Sequence, residues 1–289
     1  MISTGPAYRL AALWMMGAVA SFTLMAVAGR AVSSELDTFE LMLYRSIIGI
    51  VLVLAGATLF GRLPDIRTRR LGLHLARNLS HFVGQNLWFL ALTLIPLAQV
   101  FAMEFTTPLW VALAAPLFLS ERLTRTKAAV AVAGFAGIMI IVRPSLSGIA
   151  PGQAAAALAA IGFAGSAILT KILTRTESIT SILFWLTAMQ AGMGLVAAGY
   201  DGAITLPSST LWPWLLVIGM AGLSAHLCLT TALSYAPASF VMPFDFLRLP
   251  VAAITGALVY SEPFDPVILA GAALILAANY VNLRATAGR

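Results

Sequence analysis

Five polar or aromatic side chains recur along residues 71–94, a stretch that is otherwise apolar. They follow each other at spacings of four, three, four and three residues, so a helix places all of them on one face. They are His74, Asn78, His81, Gln85 and Trp88. Such groups hydrogen-bond either to a polar solute or to a neighbouring helix. We favour the solute, because five positions exceed what joining two helices needs, and we predict a substrate-binding wall.

A second polar row lies further along the chain. His226, Thr230 and Ser234 repeat at spacings of four residues, and His226 follows Gln85 by 141 positions. We predict that His226 faces the substrate; a hydrogen bond to a backbone carbonyl is the alternative. Trp185 and Trp88 lie deep in apolar segments and are candidates for stacking on the substrate, with helix packing as their alternative role.

Ionisable side chains inside apolar segments cost about 2.5 to 3.5 kcal/mol each at a bilayer centre, so they should face protein or water. Asp245 and Arg248 are three residues apart on one helical face. This spacing suits an ion pair, or the capture of a substrate carboxylate by Arg248. Glu104 has three open roles: it neutralises Arg45, binds a substrate ammonium or carries a coupling proton. Arg77 is expected to extend its charge to the membrane surface.

Motifs of enzymes, ATPases and metalloproteins are missing from the sequence. Lys127 and Lys171 follow threonine rather than the glycine of a P-loop, and neither His-Glu-x-x-His nor Gly-x-Ser-x-Gly occurs. Three histidines and one cysteine do not form a metal-binding pattern. We therefore predict a non-enzyme without cofactor or metal. Its net charge of +6 is attributed to loops at a membrane surface, not to nucleic-acid binding.

The elements that position these residues follow from composition. Of 289 residues, 60% are hydrophobic and 10% are charged, and the mean hydropathy is +0.94. A soluble domain has about 25% charged residues, so we predict an all-α polytopic membrane protein. Ten transmembrane helices are predicted, at about 8–30, 37–60, 71–94, 97–120, 126–143, 152–174, 178–199, 211–235, 238–260 and 264–284.

The second half of the chain repeats the first. Residues 91–121 align without a gap on residues 232–262, at an offset of 141. The matched positions include Pro96 with Pro237, Glu104 with Asp245, and Ser120-Glu121 with Ser261-Glu262. We predict two five-helix repeats, residues 1–146 and 147–289. Because five is odd, the second copy enters the membrane in the opposite direction, and such inverted repeats are typical of secondary transporters with a substrate site near the midplane.

The basic residues predict the orientation in the membrane. Of the 17 Lys and Arg residues, three lie inside predicted spans, twelve lie on the side of the N-terminus, and only Arg30 and Arg143 lie on the other side. Cytoplasmic loops carry the excess of basic residues. Both termini are therefore predicted to be cytoplasmic.

Three features together resemble the EamA-type transporters of the drug/metabolite transporter superfamily, and in particular the bacterial aromatic amino acid exporters. They are the ten spans in two repeats, Arg45 early in the second span, and the Ser-Glu pairs that close spans four and nine. The resemblance implies a basket-like helical bundle in the inner membrane, with a central cavity that alternates between inward and outward openings. It also implies export of amino acids or related amphipathic metabolites.

The expected substrate-binding residues are His81, Gln85, Trp88, His226, Arg248, Asn78 and Trp185. Glu104, Asp245 and Arg45 are expected to supply supporting charge or coupling. Exchange of sugar phosphates or nucleotide sugars is an alternative, and it would call for two or more basic residues that converge within the membrane. An intramembrane lipid-modifying enzyme is a further alternative, which would require catalytic acids or histidines clustered near one interface.

Overall fold

The computed structural model describes residues 6–118, 125–143, 149–236, 241–263 and 265–287, and in these ranges it contains helices and no strand. Two 3-10 turns cover Leu63–Asp65 and Met242–Leu247. The α-helices are α1 (Pro6–Val32), α2 (Thr38–Leu59), α3 (Leu71–Leu94), α4 (Leu97–Glu104), α5 (Thr107–Phe118), α6 (Arg125–Val142), α7 (Pro151–Leu173), α8 (Ile179–Ala198), α9 (Trp212–Tyr235), α10 (Arg248–Tyr260) and α11 (Pro266–Ala287).

Five of the described helices, α1, α2, α7, α8 and α9, are long and apolar enough to cross a membrane. Helix α10 and the apolar parts of α6 and α11 are shorter. Helix α3 has 24 residues and is long enough to cross a membrane. Its row of polar side chains makes it less apolar than the five helices named above. Each of the ten predicted spans contains at least one helix, while residues 119–120, 238–240 and 264, at three span ends, lie outside the described ranges.

The helices form two compact units. The first contains α1, α2, α8 and α9, with α3 up to Phe82 and α7 from Leu169. A capping box starts α2: Asp37 Oδ1 accepts hydrogen bonds from the Phe39 and Glu40 N–H groups, both at 2.8 Å, and Glu40 Oε2 accepts from the Asp37 N–H at 3.1 Å. These bonds satisfy N–H groups that have no partner within the helix and so define where α2 begins.

Glycines allow close helix contacts inside the first unit. A Cβ at Gly49 of α2 would lie 2.6 Å from Thr187 Cγ2, and a Cβ at Gly194 of α8 would lie 3.0 Å from Leu43 Cα. Small residues at such contacts let backbones approach in membrane proteins, where lipid gives no hydrophobic drive to helix association. The buried polar side chains of this unit are therefore held between closely packed helices.

The second unit contains α4, α5, α6, α10 and α11, with α3 from Val83 and α7 up to Ile168. Gly137 of α6 and Gly271 of α11 face each other, because a Cβ on either glycine would lie 2.8 Å from the backbone oxygen of the other. This reciprocal contact joins the two helices at backbone distance.

Helices α4 and α5 divide the stretch that the sequence predicts as one span from 97 to 120. Helix α4 ends at Glu104 and α5 begins at Thr107. Pro108 explains the interruption, because proline has no N–H for the carbonyl four residues earlier and its ring clashes with that carbonyl, which here belongs to Glu104. The predicted span is thus not a single helix.

The matching segment of the second repeat is interrupted at the same place. A 3-10 turn covers Met242–Leu247, and α10 begins at Arg248. The starts of α5 and α10 are separated by the offset of 141 that relates the two repeats. In both copies a new helix therefore starts at the same repeat position, which agrees with a duplication. In inverted-repeat transporters, interrupted helices at corresponding positions indicate where ions and substrate bind.

Candidate functional site

Four buried basic side chains form the basic cluster of the first unit: Arg45 of α2, Arg77 and His81 of α3, and His226 of α9. Between 2% and 8% of the surface of each residue is exposed. The His81 and His226 rings meet edge to face, with centroids 4.9 Å apart. Arg77 lies one helical turn before His81 on α3, and Arg45 and His226 line the same pocket. Neighbouring helices therefore bring the four basic groups close together.

Arg45 lies against α9 at Gly222. A Cβ at Gly222 would be 2.7 Å from Arg45 Nε, so the guanidinium has room only because residue 222 has no side chain. Arg45 Nη1 donates to Met42 Sδ at 3.3 Å, and a thioether is a weak acceptor. These two contacts thus give the buried charge of Arg45 no acid partner.

Arg77 is buried as well, with 3% of its surface exposed. Its Nε donates to Thr170 Oγ1 at 3.1 Å, and its Nη1 donates to Asn78 Oδ1 at 2.9 Å. The expectation that Arg77 extends to the membrane surface is therefore wrong. The polar side chains of Thr170 and Asn78 hold it inside the unit instead.

No carboxylate of the described residues lies within 4.0 Å of a guanidinium nitrogen of Arg45 or Arg77. Of the 11 acids in the chain, only Glu121 lies outside the described ranges. Glu104, one expected partner of Arg45, pairs with Arg248 instead. Since burial of an unbalanced charge costs several kcal/mol, the two arginines leave positive charge that these residues do not compensate.

Amide groups join α3 to α8. Asn78 Nδ2 donates to the carbonyls of His74 at 2.9 Å and Trp185 at 3.1 Å, and Gln190 Nε2 donates to the Asn78 carbonyl at 2.9 Å. Because Arg77 occupies Asn78 Oδ1, both ends of this amide are used within the unit. Asn78 therefore holds helices together here, and its contact with substrate stays a prediction.

Trp185 of α8 is only partly buried. Its ring centroid lies 6.2 Å from that of His74. Its indole N–H is buried and has no acceptor among the described residues. Trp185 thus keeps a hydrogen-bond donor available, while the stacking role that the sequence predicts is not tested by these contacts.

A small pocket lies beside Arg45. Its lining includes Arg45, Ser46, Thr187, Gln190 and His226. His226 Nε2 and Gln190 Oε1 are buried and make no hydrogen bond within the described part of the chain. The pocket therefore brings a guanidinium, an imidazole and an amide together, with hydrogen-bonding capacity left over.

The second unit contains a different charged group, the acid–arginine cluster of Glu104, Asp245 and Arg248. Arg248 Nη2 donates to Glu104 Oε1 at 3.0 Å and to Asp245 Oδ2. The indole N–H of Trp88 donates to Glu104 Oε2 at 2.9 Å. The ion pair that the spacing of Asp245 and Arg248 suggests is present, and Glu104 is a second partner.

Aromatic rings enclose this cluster. The guanidinium carbon of Arg248 lies 5.3 Å from the ring centroid of Phe101 and 5.9 Å from that of Phe105, distances suited to cation–π attraction. Two carboxylates outnumber one guanidinium, so the cluster has one excess negative charge unless a proton or another cation joins it. Asp245 Oδ1, which is buried without a hydrogen-bond partner in the described residues, is available to that cation.

The predicted site residues are divided between the two units. His81, His226, Asn78 and Trp185 belong to the first unit, and Gln85, Trp88 and Arg248 belong to the second. Gln85 is 1% exposed, and its side-chain nitrogen has no acceptor among the described residues.

Sequence reasoning missed Gln190 and Gly222, which shape the pocket beside Arg45. Two signals in the sequence point to them. Gln190 is an isolated amide in an apolar segment, and Gly222 lies one helical turn before His226.

Comparison with known proteins supplies the family. The model of the EamA-like transporter family matches residues 9–143 and 150–284. The predicted repeat boundary between residues 146 and 147 lies outside the described ranges and stays a prediction.

Two relatives and one solved structure extend the comparison. A riboflavin transporter of Brucella anthropi is 36% identical over 227 residues, which cover 77% of this chain and 80% of the relative. An S-adenosylmethionine uptake transporter of Rickettsia bellii is 27% identical, with coverage of 94% and 92%. A protein crystal structure, 20% identical, superposes with a TM-score of 0.60 over 94% of this chain and 96% of the other, and shows the fold alone.

The family match covers both halves of the chain, and the helices described above are of the length and composition that a membrane transporter needs. The chain belongs to the EamA-like transporter family and is a multi-pass membrane transporter.

Proposed function

We propose that the protein is a secondary transporter of the bacterial inner membrane that moves a small amphipathic metabolite by alternating access, with riboflavin as the first substrate to test. The observation that supports this most is the acid–arginine cluster at the interruption of both repeats. Glu104 ends α4, Asp245 lies in the matching 3-10 turn, and both carboxylates bind Arg248.

The acid–arginine cluster can have two charge states during alternating access, one with and one without a proton or cation on Glu104 or Asp245. A proton or a substrate cation on Glu104 or Asp245 weakens one of the two bonds to Arg248, because a neutral or occupied acid attracts the guanidinium less. The interrupted helices that meet these side chains then have two arrangements of similar energy. Exchange between these arrangements couples binding to opening on one side of the membrane.

Riboflavin is the first candidate because the relative from Brucella anthropi is named a riboflavin transporter at 36% identity. The resemblance to aromatic amino acid exporters implies export, whereas the relative from Rickettsia bellii is named an uptake transporter.

A second candidate is the export of amino acids or other carboxylated metabolites. It is favoured by Arg45 and Arg77, which are buried without an acid among the described residues. The same two arginines also favour exchange of sugar phosphates, which calls for basic residues that converge within the membrane. Both substrate classes carry an anionic group, so one assay can compare them with riboflavin.

The proposal keeps the topology that the sequence predicts. It has two inverted five-helix repeats, residues 1–146 and 147–289, with both termini in the cytoplasm. Support comes from the family match to each half and from the interruptions at repeat-related positions. Labelling of single cysteines placed in loops of a Cys228→Ser background tests the orientation.

Counterflow in proteoliposomes tests the function. Vesicles preloaded with unlabelled riboflavin, S-adenosylmethionine, phenylalanine or a sugar phosphate are given the labelled compound, with and without a pH gradient. We expect saturable riboflavin counterflow that Arg248→Gln and His81→Ala abolish. Arg69→Gln, which removes an exposed positive charge, is the control and should transport normally.

Each outcome of this assay decides between the candidates. Counterflow of phenylalanine or of a sugar phosphate in place of riboflavin selects the second candidate or the exchanger. No counterflow of any of the four compounds by folded protein would sink the proposal for all of them. An equal rate with and without the pH gradient would remove the coupling role of the acid–arginine cluster.

A further inference from the structure

We propose that the pocket of the first unit binds a small oxyanion, either a carboxylate or a phosphate group, between Arg45 and His226. This inference does not depend on riboflavin being the substrate. It rests on the charge and the hydrogen-bonding capacity of the pocket.

The charge argument begins with Arg45 and Arg77. Both are more than nine-tenths buried, and neither has a carboxylate within 4.0 Å in the ranges that the structure describes. Buried charges are normally paired, because desolvation of an isolated charge is costly. The acid–arginine cluster shows how this chain balances an arginine with its own acids. An anion that binds in the pocket from solution would neutralise this buried positive charge.

The shape and chemistry of the lining favour an oxyanion over other ligands. The guanidinium of Arg45 is a planar fork of N–H donors that matches the two oxygens of a carboxylate or phosphate. Its only hydrogen-bond acceptor in the described residues is the weakly accepting sulfur of Met42. His226 Nε2 is buried without a hydrogen-bond partner in the same ranges, and a neutral imidazole protonated on this nitrogen donates to an oxyanion. A cation would be repelled by the two arginines, and an uncharged solute would leave their charge unbalanced.

Gly222 adds a geometric argument. Any side chain at this position would enter the space of Arg45 Nε, which a Cβ would approach to 2.7 Å. The lining of the pocket therefore keeps the guanidinium beside His226, which is one helical turn further along α9. The donors are already assembled before a ligand arrives, and preorganisation of this kind lowers the entropic cost of binding.

Two sources of the oxyanion share this chemistry. It is either a group carried by the transported metabolite or a free anion that accompanies the transport cycle. Matched ligands separate the two sources. Riboflavin and riboflavin 5′-phosphate share a ring system and differ by the phosphate; phenylalanine and phenylalaninol differ by the carboxylate. Inorganic phosphate and acetate represent the free anions.

The experiment measures thermal unfolding of the purified full-length protein in detergent across concentrations of each ligand. We expect the anionic member of at least one pair to raise the unfolding temperature and its uncharged partner to do so at about tenfold higher concentration or not at all. If inorganic phosphate or acetate is as effective as the matching metabolite, the site binds a free anion. If the metabolite is much more effective, the oxyanion belongs to the transported solute.

Three variants separate anion binding from a structural role of Arg45. Arg45→Gln should weaken binding of the anionic ligand by about tenfold or more and should raise the unfolding temperature of the ligand-free protein, because a buried uncompensated charge is removed. Arg45→Lys keeps the charge but not the planar fork, and should bind with intermediate affinity. Arg69→Gln makes the same charge change at an exposed position and should leave both quantities unchanged.

Two results would overturn the proposal. One is equal stabilisation of the wild type by the charged and uncharged members of both pairs, with no effect of phosphate or acetate. The other is a lower unfolding temperature of ligand-free Arg45→Gln together with unchanged affinity for the anions. Because this readout is binding, failure of counterflow with all four compounds in proteoliposomes would refute the proposed function and leave the oxyanion site standing.

Discussion

The basic cluster and the acid–arginine cluster use buried arginine in opposite ways. Arg248 donates to two carboxylates and lies over two aromatic rings. Arg45 has a thioether as its acceptor, and Arg77 has a hydroxyl and an amide. All three guanidiniums are at most 7% exposed. Burial alone therefore does not define the role of an arginine in a membrane protein; the charge of its neighbours does.

This difference makes the two clusters suited to different ligands. The acid–arginine cluster has an excess of negative charge and attracts a proton or a cation, whereas the arginines of the basic cluster attract an anion. A zwitterionic or phosphorylated solute has both kinds of group. Substitutions that change one cluster at a time therefore show which part of a solute each cluster serves.

The largest expected effect is that of Arg248→Gln. It leaves two buried carboxylates facing each other, so the protein should lose about 3 to 5 kcal/mol of stability. A second substitution, Glu104→Gln, removes one of these charges and should restore part of the loss. Thermal unfolding in detergent measures both changes, with Arg69→Gln as the control. Wild-type stability of Arg248→Gln would contradict the account of this cluster.

Trp88→Phe should have a smaller effect. The hydrogen bond to Glu104 Oε2 is lost, at about 1.5 kcal/mol. The smaller ring also leaves space unfilled beside Phe89 and Phe101 in a fully buried site, which adds to the loss. Trp185→Phe is the matched control, since its N–H has no acceptor in the described residues. Unfolding temperatures that fall equally for both variants would show that the Glu104 bond adds nothing.

Gly222→Ala perturbs the basic cluster without removing a charge. The added Cβ would lie 2.7 Å from Arg45 Nε, so the guanidinium must shift, at about 1 kcal/mol. We expect a loss of a few-fold in anion affinity, measured by the same ligand-dependent unfolding. Gly192→Ala, where a Cβ meets nothing within 4 Å, is the control and should bind normally. Normal anion binding by Gly222→Ala would show that the position of the Arg45 guanidinium does not matter for anion binding.

The smallest effect is expected at an exposed ion pair outside the helices. The N–H of Val267, and then Arg143, hold the pKa of Asp265 below its ordinary value of 3.8. A lowered acid pKa stabilises the folded state above the ordinary value, and this contribution is lost as pH falls through the lowered pKa. Asp265→Asn should therefore reduce the unfolding temperature slightly at neutral pH and not in acid. A difference that persists in acid would have another cause.

Much of the fold follows from the sequence, because helical spans depend on local composition. The buried row on α3 follows from its spacing, and the Asp245–Arg248 pair follows from the positions of two residues on one helix. By contrast, Glu104 and Arg248 are 144 residues apart, and a single sequence carries no signal for that contact.

The burial of Arg77 depends on contacts inside the unit that the composition of the chain does not reveal. Thr170 and Asn78 supply acceptors inside the unit, so the side chain need not reach the membrane surface. The interruption after Glu104 had a local signal, Pro108. The matching interruption before Arg248 has Pro250 in the first turn of the helix that follows, and the repeat offset of 141 indicates it as well.

The central claim is that the neighbours of a buried arginine decide its role, and it is tested most directly by unfolding the ligand-free Arg45→Gln and Arg248→Gln variants side by side. Both substitutions remove one buried positive charge and leave an amide. The account predicts opposite signs: a higher unfolding temperature than wild type for Arg45→Gln, and a lower one for Arg248→Gln. A fall in both variants would contradict it, because Arg45 would then be a structural residue like Arg248.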